Sequence, residues 1–254
     1  VIATPHLGAS TVEAQESVAV DVSNDIIKFF KTGTVTNPVN MPSIPKEKLA
    51  QVEPFFALAE KLGKFLIQVT EESIQQLNIS YAGEVANFDV RPLTANAIKG
   101  LLSTNHGSHV NDVNARYLAE RIGMQINEHK TTTAKGFTNL ITVEIITETE
   151  KHTVAGTLLN GLGARIVKVE GFVVDVIPNG NLLYIKNQDK PGSIGRVATK
   201  LAEKEINIAT MQVGRDQVGG SAVMMLVVDN EVTTEDLIYV AQLENIDEVK
   251  AISL

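Results

Sequence analysis

The sequence predicts an α+β protein, with a short α/β segment at its N-terminus and a strand–helix–strand–strand–helix–strand module at its C-terminus. Three observations carry that reading. The stretch Leu182–Asn207 runs from an apolar strand through a polar Pro191-Gly192 loop into an amphipathic helix. Downstream of Lys46, strand-like and helix-like segments come in mixed runs, the pattern of an α+β domain. Two turn-rich breaks, Thr34–Pro45 with Pro38, Pro42 and Pro45, and then Pro178-Asn179-Gly180, divide the chain into segments 1–40, 46–178 and 181–254.

Taken in order, Val1–Ala3 reads as a short strand and Thr4–Ala9 as a loop. Ser10 and Glu13 form a capping-box pattern before a helix. Val18, Val22, Ile26 and Phe29 would be its buried face and Gly33 its stop. Pro54 is expected to open the next helix, on which Phe55, Leu58, Leu62 and Phe65 share a face. Gln76–Tyr81 alternates, with Leu77, Ile79 and Tyr81 on one side, as a half-buried strand does. Leu93–Leu102 and Asn111–Ile122 read as helices, the second ended by Gly123. Leu140–Ile146 and Thr153–Leu158 read as strands joined by the polar turn Thr147–Lys151. Arg165–Val169 and Phe172–Ile177 make a further pair turning at Glu170-Gly171.

In the last segment Ile194, Val197, Ala198, Leu201 and Ala202 have the spacing of one helical face. Pro191 fits the first helical turn, and Asp189 is expected to accept from the free N–H groups there. Ile208–Val213, a turn at Asp216–Gly220, the strand Ala222–Val228, a helix capped by Thr233 and carrying Leu237, Val240 and Leu243, and the strand Glu248–Leu254 complete the ferredoxin-like order. One face of such a sheet carries the helices. The other face or an edge commonly meets a partner, so this module is expected to dimerise.

The totals narrow the chemistry. The net charge of -8 over 254 residues argues against non-specific binding to nucleic acid or anionic membranes. Cysteine is absent, which removes disulfides, thiolate zinc sites, iron–sulfur ligation and thiol nucleophiles together and fits a cytoplasmic protein. No apolar run approaches the roughly 18 residues of a membrane span. The start VIATPHLGAST has neither an initiator Met nor the basic and apolar regions of a signal peptide, and is expected to be the interior of a longer chain.

A helix N-terminus holds a small carboxylate, and Asp189 in the same loop can balance an ammonium, so the loop suits a free amino acid. Asn187-Gln188-Asp189-Lys190-Pro191-Gly192, followed later by Ile206-Asn207-Ile208-Ala209, resembles the ACT domain, a small fold that binds amino acids at dimer interfaces. The resemblance covers Asn181–Leu254. It implies that Asp189, with Asn187 and Gly192 of the same loop, and Asn207 from a neighbouring subunit, grip L-serine. Asn187 stands where relatives carry His or Tyr.

Thr4-Pro5-His6-Leu7-Gly8-Ala9-Ser10-Thr11 is similar to the segment bearing the catalytic His of the D-2-hydroxyacid dehydrogenases. That implies proton transfer by His6, a role suited to a pKa of about 6.5, and places Gly8 against an NAD cofactor. Between these two segments, Val113-Asn114-Ala115, Glu120-Arg121-Ile122-Gly123, Asn139-Leu140-Ile141 and Arg165-Ile166-Val167 resemble the intervening domain of long-form D-3-phosphoglycerate dehydrogenases. The ensemble implies the C-terminal part of such an enzyme, which oxidises 3-phosphoglycerate with NAD to 3-phosphohydroxypyruvate, is inhibited by L-serine and is a homo-oligomer. On that resemblance these 254 residues are expected to be inactive alone, because the orienting Glu, the substrate-binding Arg and the dinucleotide fingerprint would lie upstream of them. Gly161-Leu162-Gly163 is a near miss that lacks the third glycine and a following helix and reads as a turn.

In relatives the intervening domain can hold an anion. Lys135, Arg165 and Lys168 are the candidates here, although Arg165 and Lys168, three apart on a strand, would face opposite sides without a twist or bulge. His106 and His109, near Asn111 and Asp112, have no carboxylate at helical spacing, and no metal is expected. The alternative reading is a non-catalytic amino-acid-binding or dimerisation module. The TPHLGAST segment weighs against it, since a sensor has no use for that loop.

Overall fold

The computed structural model describes residues 8–32, 46–106 and 109–254, with side chains omitted at 46–50, 105 and 106. The expected strand Val1–Ala3, His6, and the linker Thr34–Pro45 lie outside the described residues.

The first described body is the helix α1 (Val12–Thr32). Thr11, not Ser10, caps it: the Ala14 N–H donates to Thr11 Oγ1 at 3.2 Å, because Thr11 immediately precedes the first helical residue. The expected apolar stripe is present but uncovered. Val18, Val22, Ile26 and Phe29 are all exposed, and α1 buries none of its residues.

Residues 46–254 build two sheets. In the six-stranded sheet, of order β2-β1-β3-β4-β5-β6, β1 (Gln76–Gly83) pairs in parallel with β2 (Gln125–Thr131). The remaining neighbours, β3 (Asn139–Ile146), β4 (Lys151–Leu159), β5 (Gly163–Val169) and β6 (Phe172–Val176), are antiparallel. One face carries α2 (Lys46–Val69) and α3 (Arg91–His106), with the short α4 (Ala115–Arg121) beside α3. Leu77, Ile79 and Tyr81 of β1 point into that core with Leu58, Leu62, Phe65, Ile98 and Leu101. A single turn of 3-10 helix, Glu84–Asn87, follows β1.

Three elements differ from expectation. Helix α2 starts at Lys46, with Pro54 inside it; the upstream run KEKLAQVE is made of good helix formers, which carry the helix across the single bond that proline forfeits. Helix α4 is shorter than Asn111–Ile122 because Asn111–Asn114 is spent on a local turn, Asn111 Oδ1 accepting from the N–H groups of Val113 and Asn114 at 3.0 Å. Gly123, at φ +88°, ends the helical segment as foreseen. Strand β2 was not foreseen at all. Its sequence QINEHKT lacks apolar alternation, and polar pairs anchor this edge strand. Asn127 Nδ2 donates to Asn78 Oδ1 at 2.9 Å, and Glu128 Oε1 accepts from Thr94 Oγ1 at 2.5 Å.

The second sheet, β10-β7-β9-β8, is fully antiparallel and comes from β7 (Asn181–Gln188), β8 (Ile208–Arg215), β9 (Ser221–Val228) and β10 (Ile246–Ser253). Helices α5 (Ser193–Glu203) and α6 (Thr234–Ala241) complete the βαββαβ order. Thr233 caps α6 in a reciprocal box with Asp236. Of the stripe read on α5, Val197 and Leu201 are buried, but Ile194 is exposed.

The central strands of this sheet, β7 and β9, are covered on both faces within one chain, while the edge strand β8 is largely exposed. Leu183, Ile185, Met224 and Leu226 pack under α5 and α6. Their alternates Leu182, Tyr184, Val223 and Met225 join the core of the six-stranded sheet, where Phe65 of α2 meets Tyr184 edge-on at a centroid distance of 6.3 Å. The second sheet face therefore meets α2, not a partner. The turn Pro178–Gly180 is tied down as well. Lys61 Nζ donates to the Pro178 carbonyl at 2.6 Å, and Gly180 and Leu254 exchange both backbone hydrogen bonds at 3.0 Å. That turn is a brace.

Near the same junction His152 lies between two carboxylates, with Nδ1 3.2 Å from Glu170 Oε1 and Nε2 3.1 Å from Glu150 Oε2. The bond to Glu170 leads in pushing its pKa up to about 9, against the opposing effect of burial. Glu248 of β10 senses the same charge, while its own burial raises its pKa. A histidine whose folded pKa lies above its unfolded value near 6.5 contributes stability that is complete below pH 6.5 and lost as pH rises towards 9. Because Glu150 is half exposed, about 1–2 kcal/mol is expected. Urea unfolding of the wild type and of His152→Gln at pH 6 and pH 9.5 measures it. The wild-type advantage should be present at pH 6 and gone at pH 9.5, and an advantage independent of pH would refute the assignment.

Candidate effector site

The loop between β7 and α5 is built on Gly192. At φ +89° it is the N-cap of α5, and a Cβ there would lie 2.8 Å from Arg196 Nη1. The left-handed backbone requires glycine, whereas the arginine tip, the end of a flexible side chain, could swing aside. Pro191 therefore precedes the cap and does not open the helix.

Asp189 does not cap α5 either. Its Oδ2 accepts from Arg215 Nη1 at 2.9 Å and from the Gly219 N–H at 3.2 Å, and its own N–H donates to the Gly220 carbonyl at 2.8 Å. The carboxylate is turned to the β8–β9 hairpin because Arg215 and the turn N–H offer a charge and a dipole together. The Gly219 N–H, then Arg215, hold its pKa below the ordinary aspartate value, so it is ionised at neutral pH.

Asn187 is 2% exposed, so it braces the loop from below. Its Nδ2 donates to the Gln188 carbonyl at 2.8 Å, and its buried Oδ1 has no partner among the described residues. Arg196 lies over Gly192, with Nη2 at 3.5 Å from Ser193 Oγ and 3.4 Å from the Glu244 carbonyl. Asn207 is exposed and donates to Asp229 Oδ2 at 2.7 Å. It stands at the start of β8, whereas Arg215, which reaches Asp189, stands at its end. Eight residues separate them, roughly 25 Å of strand. One chain does not bring Asn207 to Asp189.

The anion candidates have a different geometry from the one expected. In the pairing of β4 with β5, Ala155 faces Lys168 and Thr157 faces Arg165, while Val167 is the extra residue of a β-bulge. Ala155 and Thr157 are two apart, so the bulge puts Arg165 and Lys168 on the same face of the sheet. Arg165 is already committed, with Nη1 on the carbonyls of Leu162 and Ala164 at 2.6 and 2.9 Å and Nε 3.2 Å from Asp175. Lys168 forms no ion pair among the described residues, and Lys135 is exposed in the β2–β3 loop.

Gly8 is exposed, with nothing within 4 Å of where its Cβ would be. Gly161 and Gly163, both at φ +75°, make the β4–β5 hairpin, so no dinucleotide cradle exists there. The His109 carbonyl accepts from Asn114 Nδ2 at 2.8 Å. Among the described residues no group of three His, Asp or Glu could hold a metal, and no helix is long and apolar enough to cross a membrane.

Sequence reasoning missed Arg196 and Arg215. Arg215 was within reach: Asn187 and Arg215 both pair with Ala222, from opposite sides of β9. Extending the hairpin register by one strand places Arg215 next to the loop.

A βαββαβ sheet with a glycine-capped loop, packed through its free face on a six-stranded α+β domain, defines a two-part regulatory region of ACT type. Comparison with known proteins agrees in both parts. Residues 51–170 match the D-3-phosphoglycerate dehydrogenase intervening domain, and residues 181–238 match the ACT domain. The chain is 39% identical over 254 residues to D-3-phosphoglycerate dehydrogenase of Bacillus subtilis, covering 100% of this chain and 48% of that one. It is 38% identical, with the same coverage, to that of Methanocaldococcus jannaschii. The Synechocystis protein is 36% identical over 91% of this chain and 42% of its own. The chain thus spans about half the length of the curated relatives it matches. It belongs to the D-3-phosphoglycerate dehydrogenases, as their C-terminal intervening-plus-ACT region.

Proposed function

We propose that this chain is the effector-sensing region of an NAD-dependent D-3-phosphoglycerate dehydrogenase, reading L-serine at its ACT loop in a homo-oligomer. The observation that carries the reading is the ionised, partly exposed Asp189 beside the α5 N-terminus. Its charge offers a seat for an ammonium, in the loop that leads from β7 into α5. Asn207 completes the grip only if a second copy supplies it, since it lies at the far end of its own β8. Binding shared between two copies is a device for allostery, because a rotation that separates the halves lowers the affinity.

The reaction of the whole enzyme would be oxidation of 3-phosphoglycerate to 3-phosphohydroxypyruvate, with His6 moving the substrate proton. The described residues contain no cradle for NAD, so no hydride-transfer step is assigned to them. Anion binding on the open face of the six-stranded sheet would rest on Lys168, since Arg165 is engaged by its own loop and Asp175.

Calorimetric titration of L-serine, with D-serine as control, tests the effector reading. Saturable binding of the L-enantiomer is expected. Asp189→Asn, which keeps an oxygen for the Gly219 N–H, should weaken it at least tenfold. Absence of heat and of any thermal shift would leave the ACT module as a dimerisation element.

A further inference from the structure

We propose that Arg215 is a second effector-binding residue, which holds the carboxylate of the amino acid whose ammonium Asp189 holds. This inference rests on the effector reading above and deepens it. The two side chains form a single contact, Arg215 Nη1 to Asp189 Oδ2 at 2.9 Å. A guanidinium carries five N–H donors and a carboxylate about four acceptor positions, so this contact leaves most of the arginine's donors unused and, with the Gly219 N–H also on Oδ2, about half of the carboxylate's positions, those of Oδ1 among them. Arg215 is 54% exposed and Asp189 26%, so solvent reaches the pair.

An α-amino acid presents an ammonium and a carboxylate on adjacent bonds, about 3 Å apart. That is the separation and the reverse polarity of the Asp189–Arg215 pair. The zwitterion can lie alongside the pair, its ammonium on the free side of Asp189 and its carboxylate on the free donors of Arg215. The planar fork of arginine suits a carboxylate better than a lysine ammonium does.

The neighbouring cations fit this task less well. Arg196 is spent on Ser193 and the Glu244 carbonyl, with its Nε buried. Lys190 is exposed but has no fork to present. Two other roles are available to Arg215. As a lock, it would fill the ammonium seat and oppose binding. As a strut, it would only fasten the loop to the β8–β9 hairpin. Both roles predict a ligand response different from that of a carboxylate seat.

The test is calorimetry with L-serine and with L-serinamide, which keeps the ammonium but lacks the carboxylate charge. It is run on the wild-type protein, Arg215→Gln and Arg215→Lys, each checked for an unchanged unfolding midpoint. The wild type should prefer L-serine to L-serinamide by at least tenfold. Arg215→Gln should lose at least tenfold in L-serine affinity while L-serinamide binds as before, so the preference collapses. Arg215→Lys should recover part of it.

Tighter L-serine binding by Arg215→Gln would identify a lock and overturn the assignment. Equal losses for both ligands, or a lowered unfolding midpoint in Arg215→Gln with full preference kept by Arg215→Lys, would identify a strut and overturn it too. If the wild type binds neither ligand, the effector reading itself fails, an outcome seen in the wild-type arm alone.

Discussion

Replacing Gly63 with alanine is expected to destabilise the 46–254 body by about 3 kcal/mol or more, at the top of the range for overpacking. Helices α2 and α3 touch backbone to backbone. A Cβ on Gly63 would stand 2.0 Å from the Ala97 carbonyl oxygen, and one on Gly100 would stand 2.0 Å from that of Glu60. No side chain can swing aside to make room, so the helices must separate, and the ion pairs of Lys99 with Glu60 (2.8 Å) and Asp112 (3.0 Å) would loosen with them. The gain of about 1 kcal/mol from putting alanine in place of glycine in a helix works against this and is too small to reverse it. Gly195 of α5 provides the control, because nothing lies within 4 Å of its Cβ position. Urea denaturation should show Gly63→Ala and Gly100→Ala strongly destabilised and Gly195→Ala unchanged or slightly more stable. The double variant Gly63→Ala/Gly100→Ala should cost less than the sum, since one separation relieves both clashes. A neutral Gly63→Ala would mean that α2 and α3 do not approach this closely.

Truncating Phe65 to alanine should cost about 3–5 kcal/mol, as for other fully buried aromatics, and should also divide the unfolding transition. Phe65 is wholly buried, and its ring stands edge-on to Tyr184 at an interplanar angle of 84°. It is one of the contacts through which α2 closes the second face of the ACT sheet, beside the Gln68 side chain, which hydrogen-bonds Ser253 of β10. The ACT helices have their own core beneath them, with Leu183, Ile185, Val197, Leu201, Met224 and Leu226. That core does not depend on Phe65. The wild type is expected to unfold in one step. In Phe65→Ala, hydrogen exchange in β1 and β3 should accelerate more than in β9, and the urea transition should broaden or split. A loss below 1 kcal/mol with a single sharp transition would show that the junction carries little of the stability.

Much of this arrangement was legible in the residues. The ACT module follows from local signals: the apolar run Leu182–Ile185, the Pro191-Gly192 loop, the amphipathic α5, the turn Asp216–Gly220 and the Thr233 cap. Each acts within a few residues, and each took the form read from it, except that Pro191 and Asp189 do not serve the helix start and Ile194 of the α5 stripe is exposed. Strand β2 escaped because period-two apolar alternation is the signal of a half-buried strand. The segment QINEHKT is held as an edge by Asn127 and Glu128, through partners 49 and 34 residues away.

The candidate site divides in the same way. Asp189 and Gly192 could be picked out from the loop, since an acid and a glycine beside a helix start have a local meaning. The partner of Asp189 could not, because Arg215 reaches it only through the pairing of β8 with β9. The same holds for Arg165 and Lys168. Strict alternation sets them on opposite faces, and one unpaired residue, Val167, reverses that.

By itself the sequence determined which segments are helices and strands over most of the chain, the βαββαβ order and the kinship with D-3-phosphoglycerate dehydrogenases. Side-chain periodicity, caps and turns are properties of short stretches and survive without a fold. Only the tertiary structure decided what covers the second face of the ACT sheet. The unbroken apolar run Ala222–Val228 says that both faces are buried, but not by what. Helix α2 fills that place because Phe65 and Leu182, Tyr184, Val223 and Met225 share one core. Contacts between residues more than a hundred positions apart leave no local trace in a sequence.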